Sequence, residues 1–402
     1  MKRQRVILLV GLLLLAAIIL TVTVMYANRT RPVVPTATPT LVPTSTSTSV
    51  PPPQEFTCAG GDIFFPIAAD KLLSDYNIKV SVVKISTFEV KDDAKLPELD
   101  CFWPGSYTAF EDFNAAHPEM VLASATLFRT YGVFLTRTDL FLPWYLKYGL
   151  VYETDGKYHM PMGPMIAAME QHWTWEQLFQ HKAEQLGIAY DGDANKDRWL
   201  TLDANIYYGA PEYSSGAMQH VLFLANCKAS PNYNCSEVVQ KGELGSVGDP
   251  ASVLGFLVDN WESQPLQIKR SPDWFDTYRA KSGSYPLAAS SESLFIGWYN
   301  SLADEKKASS GKQIVGIYPD YTISTDHVLI ALKPEAKVLI DIFKNDTYLQ
   351  QLAWDQYGMR TAIGDIGVAP GGTDITWMES DPLSLFEPKY EVYQAITEYI
   401  HK

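Results

Sequence analysis

Beyond a low-complexity N-terminal stretch, apolar and polar positions follow two different periods. Runs that alternate every second residue, as strands do, occupy 55–61, 78–87 and 98–106. Runs with apolar residues three and four apart, typical of helices, occupy 62–76 and 107–117. This order of strand, helix, strand, strand and helix predicts a parallel sheet covered by helices.

The same alternation of strand and helix patterns continues downstream. Asp62 and Thr174 are expected to cap helices. Two long extended runs suit strands that leave one lobe and enter another. The pattern predicts an extended run at 121–137, a helix at 174–187, a strand at 198–208, a helix from Ser215 to about Asn226, a strand and a helix within 284–303, an extended run at 313–332 and a helix at 337–358.

The N-terminus carries a charge pattern typical of membrane insertion. Residues 1–5 are basic, and residues 6–26 are apolar and uncharged. A span of roughly 20 apolar residues can cross a bilayer as a helix, and basic residues before it favour a cytoplasmic N-terminus. We expect a cytoplasmic tail, one transmembrane anchor and an extracellular remainder. A cleaved signal peptide is the alternative, although no good cleavage site follows the apolar run.

Residues 27–54 are rich in Pro, Thr and Ser and contain "RPVVPTATPTLVPTSTSTSVPPP". Such a composition cannot bury enough apolar surface to fold, so we expect an extended linker. About 350 residues then remain, which is more than one core usually serves, so two lobes are expected.

The chain is acidic, with a formal net charge of −14. Nucleic-acid binding requires clustered Lys and Arg, so we expect no nucleic-acid partner. Net charge does not determine the local potential of a small-molecule site.

Four cysteines in an exported chain indicate disulfides. Cys227 and Cys235 bracket the polar stretch "CKASPNYNC" and are expected to bond locally. Cys58 and Cys101 lie in strand patterns and would bond if those strands are neighbours. The spacing lacks the paired C-x2-C that a zinc site needs, so we expect no zinc and no cofactor.

Four short Gly- or Ser-containing turns separate a strand pattern from a helix pattern. In open α/β sheets, ligands bind beyond the carboxyl ends of strands, where helix N-termini offer free N–H groups. One such turn can be an ordinary helix cap, and four in equivalent places predict a ligand cleft. The turns are Gly60-Gly61-Asp62, Pro104-Gly105-Ser106, Ser214-Ser215-Gly216 and Ser290-Ser291-Glu292.

A catalytic role for Ser214 or Ser215 would require a histidine base and an acid. The stretch reads E-Y-S-S-G, whereas the usual nucleophile turn reads G-x-S-x-G. A cap or a ligand donor is therefore favoured over a hydrolase. The candidate bases are His117, His159, His172, His181, His220 and His327, and 117, 172, 181 and 220 have the polar helical context of surface residues.

Residues 190–199 place four oxygen-bearing side chains at alternate positions, as calcium loops do. Arg198 stands where such loops have glycine, and no acidic residue stands at the twelfth position, so a solvated loop is favoured. The weak calcium candidates are Asp191, Asp193, Asn195 and Asp197.

Together these segments resemble the extracytoplasmic solute-binding proteins of ABC transporters, which have the type II periplasmic-binding-protein fold. The resemblance spans nearly all of the exported part in short, degenerate motifs. The chain departs from the family pattern at Glu212, where Asp-Pro is commoner, and in the single glycine after the serines. The motifs are the Gly-Gly-Asp helix start (58–63), "DCFWPGS" (100–106), "TWEQL" (174–178), "PEYSSGAMQHVL" (211–222), "SSESLFI" (290–296), "VGIYPDYTISTDHVLIAL" (315–332) and "YGMRTAIG" (357–364).

The resemblance implies two lobes, each a mostly parallel sheet with flanking helices, joined by two crossing strands. Lobe 1 would comprise 55–130 and 318–402, and lobe 2 would comprise 131–317. An ionised Glu292 in the cleft would repel anions and suit a cation or a hydroxyl-rich ligand; its alternative is a first-turn helix carboxylate. The implied ligand-binding residues are Gly61, Asp62, Ser106, Ser214, Ser215 and Glu292.

The implied function is capture of a small molecule in the cleft and its delivery to an ABC permease. The protein would not be an enzyme, would be a monomer, and would be held at the cell membrane with its folded part outside. Two alternatives remain: the same fold as a sensor or scaffold ectodomain for a protein partner, and an exported hydrolase.

Overall fold

The computed structural model describes residues 51–249, 251–264, 267–361 and 382–400. The predicted tail, the anchor at 6–26 and most of the linker lie outside the described residues. Within the described ranges, no helix is long and apolar enough to cross a membrane.

The strands follow the predicted order in the first part of the chain. They are β1 (Gln54–Gly60), β2 (Ile78–Val83), β3 (Cys101–Trp103), β4 (Ala123–Arg137), β5 (Tyr152–Thr154), β6 (Lys157–Met160), β7 (Ala288–Ser291), β8 (Ile314–Pro319), β9 (Thr322–Ala331), β10 (Arg360–Thr361) and β11 (Ser384–Leu385).

Helices cover the strands and fill the connections between them. They are α1 (Phe64–Tyr76), α2 (Tyr107–Ala116), α3 (Leu142–Lys147), α4 (Met162–Glu170), α5 (Trp175–Leu186), α6 (Ser215–Ala229), α7 (Val253–Glu262), α8 (Ser271–Ala280), α9 (Glu292–Ser301), α10 (Asp304–Ala308), α11 (Lys337–Asn345), α12 (Thr347–Tyr357) and α13 (Tyr390–Ile400). Short 3-10 turns lie at Thr87–Asp92, Leu96–Glu98, Pro118–Met120, Arg198–Thr201, Pro231–Tyr233, Lys241–Glu243, Gly311–Gln313 and Pro334–Ala336.

The described strands pair in the order β2-β1-β3-β9-β4-β8-β6-β5, with β7 and β10 on β4 and β11 on β9. We call β2, β1 and β3, with α1 and α2, the first end of the sheet. The second end comprises β5 to β8 with α6 to α9. The result is a mixed α/β fold with helices flanking a central sheet.

Two strands connect these ends. The first part of β4 pairs with β9, and its last part pairs with β7 and β8. The predicted run at 313–332 is two strands, because the chain turns at 320–321 between β8 and β9. Among the described residues, β4 and the β8–β9 turn are thus two places where the chain passes between the ends of the sheet.

Strand direction is more mixed than expected. β1 is parallel to β2 and β3, and β6 is parallel to β8, as predicted for helix-connected strands. β4 runs antiparallel to β7, β8, β9 and β10, and the pairs β3–β9 and β5–β6 are antiparallel as well. The expectation of mostly parallel sheets is therefore wrong.

The predicted strand at 198–208 is wrong. Leu200, Ala204, Ile206 and Tyr208 are buried, as apolar residues of a strand would be. The segment nevertheless joins the sheet only through an isolated bridge between Tyr207 and Ala288, and it begins as a 3-10 turn.

Two helix boundaries also differ from expectation. The predicted helix at 337–358 is divided because the Asp346 carboxylate accepts the N–H groups of Tyr348 and Leu349 and starts a new helix there. Asp62 does not cap α1, whose N-cap position is Ile63, without a capping side chain.

Both disulfides are present, as predicted. Cys58 and Cys101 lie opposite each other on the parallel neighbours β1 and β3, with 4.6 Å between their Cα atoms. Cys227 and Cys235 are joined across the polar stretch that follows α6. The first bridge holds β3, and therefore the turn that starts α2, in register with β1.

Candidate functional site

A cavity of about 140 Å³ lies where residues from both ends of the sheet meet. This volume is about ten times the roughly 10–15 Å³ that one water requires, so the cavity can hold a small molecule. Its lining includes Gly60 to Phe64, Ser86, Trp103, Gly105, Thr130, Ser214 to Gly216, Gln219, Lys269 to Pro272, Ser291, Ser293, Thr325, His327 and Met359.

The first residues of α1 reach the cavity through a glycine turn. Gly60 and Gly61 have φ values of +69° and +66°, the left-handed region that side chains disfavour. A Cβ on Gly60 would stand 2.3 Å from the Trp103 carbonyl oxygen. The Phe64 ring stacks on the Trp103 ring at 4.8 Å and fixes the helix start. The turn thereby directs the uncapped N-terminus of α1 toward the cavity.

Helices from the second end of the sheet also begin at the cavity. Ser214 caps α6 by accepting the Ala217 N–H at 3.4 Å, and Ser291 caps α9 by accepting the Leu294 N–H at 3.4 Å. Helix N-termini carry partial positive charge. Three long helices, α1, α6 and α9, therefore present their positive ends to one small space.

The hydroxyl groups of Ser214 and Ser215 make different contacts. The Ser214 hydroxyl caps α6 and shares a hydrogen bond of 2.7 Å with the Ser271 hydroxyl. The Ser215 hydroxyl faces Gly105 from the other side, at 2.9 Å from where a Cβ on that glycine would stand. Glycine at 105 thus allows the starts of α2 and α6 to approach each other.

Polar atoms without a partner mark the wall formed by β9. In the described part of the chain, Thr325 Oγ1 and His327 Nε2 are buried and make no hydrogen bond, and both residues line the cavity. Burial lowers the pKa of His327 to about 4, so the ring is neutral at pH 7. A buried polar atom without a partner is costly, and a ligand with polar atoms would satisfy both.

The charged groups at the cavity form ion pairs with one another. Lys269 and Arg270 line it from the second end of the sheet, and Asp62 lines it from the first. Arg270 pairs with Asp62, and Lys269 Nζ lies 2.9 Å from Glu89 Oε1. These two ion pairs join the ends of the sheet across the cavity, and Arg270 also lies 3.7 Å from Asp273, so the charges of Lys269 and Arg270 are compensated within the protein.

Glu292 lies away from the cavity wall. Its side chain is 1% exposed, accepts a hydrogen bond of 2.5 Å from the Tyr318 hydroxyl, and pairs with Arg360 at 3.1 Å. Its charge is compensated inside the protein, so the repulsion of anions that its sequence position suggested has no basis in this geometry.

Ser106 is also absent from the lining. It caps α2 by accepting the Ala109 N–H at 3.1 Å, and it is 1% exposed. The adjacent Gly105 lines the cavity instead. The structure therefore gathers Gly61, Asp62, Ser214 and Ser215 at one cavity and leaves Ser106 and Glu292 behind its wall.

The remaining sequence candidates lie elsewhere. His220 is buried rather than exposed, because α6 is covered on all sides, and burial lowers its pKa to about 3. Asp191 pairs with Lys147 and accepts a hydrogen bond from the Tyr148 hydroxyl. Among the described residues, no group of three or more His, Cys, Asp or Glu is placed to hold a metal ion.

Sequence reasoning missed several residues at the site. Arg270 precedes "SPDW", where Pro272 in the first turn of α8 is a helix-start signal that could have marked it. Thr325 and His327 gave no local signal, since alternate polar positions in a strand are ordinary.

No protein-family model matches the sequence, and no curated protein does either. The structure is similar to iron-bound HitA from Pseudomonas aeruginosa, with a TM-score of 0.50, 13% identity and coverage of 87% of this chain and 99% of HitA. The chain therefore has the type II periplasmic-binding-protein fold, as the sequence resemblance implied.

Two further solved structures are similar at lower scores. The sulfate-binding protein SubI from Mycobacterium tuberculosis H37Rv has a TM-score of 0.47, 14% identity and coverage of 85% of this chain and 96% of SubI. AfuA from Actinobacillus pleuropneumoniae, with fructose-6-phosphate bound, has a TM-score of 0.46, 12% identity and coverage of 87% and 96%.

Proposed function

We propose that this protein is a membrane-tethered extracellular solute-binding protein that captures a small oxygen-rich anion and delivers it to an ABC permease. The observation that carries the proposal is the convergence of three helix N-termini and two unpartnered polar atoms on one cavity between the ends of the sheet. Hydroxyls and N–H groups suit oxygen atoms, and Arg270 with Lys269 suits negative charge.

The proposed mechanism is closure of two lobes around the ligand. The β4 and β8–β9 connections would act as the hinge, and the Arg270–Asp62 and Lys269–Glu89 pairs would form as the lobes approach. A ligand favours the closed state by the difference between its contacts in the two states. Here that difference is contributed by α6, α8 and α9 on one lobe and by α1 and β9 on the other.

Thermal unfolding with a ligand panel tests the binding. Sulfate, phosphate, a hexose phosphate, citrate, a neutral sugar and an amino acid would each be added to the protein. A ligand at 100 times its Kd adds about 2.7 kcal/mol of stability, which raises Tm measurably. We expect at least one anion to raise Tm and the neutral sugar to leave it unchanged.

Arg270→Met should weaken binding of the active anion at least tenfold, because an Arg–anion contact contributes about 1.5–3 kcal/mol. Arg279→Met, in the last turn of the helix that follows Arg270 and paired with Asp276, is the matched control and should retain binding. A panel without any shift would favour the sensor or scaffold alternative. Turnover that disappears in Ser214→Ala would favour the hydrolase.

The anchor is tested separately. The full chain should sediment with membranes, and a protease added to intact cells should remove its folded part. A chain lacking residues 1–26 should not sediment. Protection of the folded part in intact cells would contradict the extracellular orientation.

A further inference from the structure

The C-terminal strap, residues 383–400, joins both ends of the sheet beside the cavity. β11 adds to β9 in parallel, with the Thr322 N–H donating to the Leu383 carbonyl at 2.9 Å. α13 then packs against α2 of the first end and α7 of the second. The strap is therefore attached at the hinge and on both sides of it.

Between β11 and α13, the strap places the carboxylate of Glu387 at the start of α2. One oxygen accepts the Thr108 N–H at 2.8 Å and a short hydrogen bond from the Thr108 hydroxyl. The other accepts the Tyr107 N–H at 3.3 Å. This is the arrangement that an anion takes at a helix N-terminus. The free N–H groups of α2 thus bind a carboxylate of the chain itself.

The same carboxylate also reaches the second end of the sheet. Gln219 Nε2 on α6 donates to Glu387 Oε1 at 2.9 Å, and Gln219 lines the cavity. A single side chain therefore links the starts of α2 and α6, which face each other across Gly105. Separation of the two ends would break this link.

We propose that Glu387 is a built-in latch: its two side-chain oxygens occupy the start of α2 and hold the cleft closed through Gln219. The inference uses the two-lobed cleft of the proposed function and concerns how it opens rather than what it binds. Opening exposes the carboxylate to water, and closing buries it again.

Protonation of this carboxylate couples the latch to pH. Burial raises the pKa of Glu387 to about 7, although the hydrogen bonds from Thr108 and Gln219 oppose the shift. An exposed glutamate has a pKa near 4.3. Closing therefore takes up a proton between about pH 4.5 and pH 7, and rising pH favours the open cleft. The surrounding titratable groups are Tyr107 and Glu111 on α2, the Arg129–Asp326 pair on β4 and β9, the neutral His220 on α6, and Lys389 and Tyr390 on the strap.

Distances between spin labels on the two ends of the sheet test the latch without any ligand. Lys84→Cys and Gln267→Cys introduce label sites at exposed positions near the cavity rim, in a full-length chain that keeps its native disulfides. The wild type should show a short distance at pH 5 and a growing long-distance population toward pH 8. The closed-to-open ratio should fall by at most about tenfold per pH unit.

Glu387→Ala should show the long distance at every pH, because the link is lost. Glu387→Gln removes the titrating proton and keeps one acceptor oxygen, but its NH2 group faces hydrogen-bond donors in place of the second oxygen. It should therefore open in part at every pH and lose the pH dependence. Glu111→Gln is the matched control: burial raises the pKa of this carboxylate of α2 too, but it should leave the wild-type pH response intact.

The latch is refuted if Glu387→Ala matches the wild type at each pH, or if Glu387→Gln retains the wild-type pH response. Circular dichroism verifies that each variant is folded, and Thr108→Val supplies a second, milder variant with a partial increase of the long distance. Because no ligand is added, failure of the latch and failure of the ligand panel are separate results.

Discussion

The turns that start α2 and α6 look alike in sequence but differ in what contacts them. Ser106 and Ser214 both cap a helix that follows an extended segment, and both are buried. The start of α6 faces the cavity, whereas the N–H groups at the start of α2 are taken by Glu387. A helix start is therefore a ligand site only where the rest of the chain leaves it accessible.

Removal of each disulfide tests how much that bond contributes to the stability of the turn or helix beside it. Cys58–Cys101 holds the strand before α2 and closes a loop with a sequence separation of 43. Cys227–Cys235 closes a loop with a sequence separation of 8 at the end of α6. Chain entropy predicts losses of about 4 and about 2.5 kcal/mol when each pair is changed to alanine. Urea unfolding under oxidising conditions measures both. Equal losses would contradict the dependence on loop size.

The pH dependence of the unfolding free energy should distinguish the start of α2, which holds Glu387, from the start of α6. The raised pKa of Glu387 means that the folded protein holds a proton which the unfolded chain has lost between about pH 4.5 and pH 7. Stability from this group is present below pH 4.5 and falls by up to about 3 kcal/mol as pH rises to 7.

Glu387→Gln should remove that fall, as urea unfolding at pH 5, 6 and 7 can measure. His220 and His327 act in the opposite direction, because their pKa values are lowered and stability from them decreases as pH falls below about 6.5. The unfolding free energy of Glu387→Gln should consequently rise more steeply between pH 5 and pH 7 than that of the wild type. Parallel pH profiles would show that Glu387 does not titrate in this range.

The smallest effect concerns the two caps. Ser106→Ala and Ser214→Ala should each cost about 1 kcal/mol of unfolding free energy, since each removes a capping acceptor. Only Ser214→Ala should also weaken the ligand-induced rise in Tm, because Ser214 lines the cavity. Equal ligand effects in both variants would remove the distinction between the turns.

Local sequence patterns predicted much of the fold. The order of elements from β1 to α2, the long strand β4, the starts of α6 and α9, and both disulfides agree with the structure. The pattern failed at 198–208, where apolar residues are buried but only an isolated bridge to β7 forms, and at Asp346, where a cap divides a helix.

Most helix and strand starts follow from local sequence, because periodicity and capping depend on residues only a few positions apart. It could not determine which of those starts share a cavity. Glu292 is compensated by Arg360, 68 residues away, and the start of α2 is occupied by Glu387, 279 residues beyond Thr108. Such pairings depend on how the sheet brings distant segments together, so tertiary contacts determine which helix starts remain accessible to a ligand.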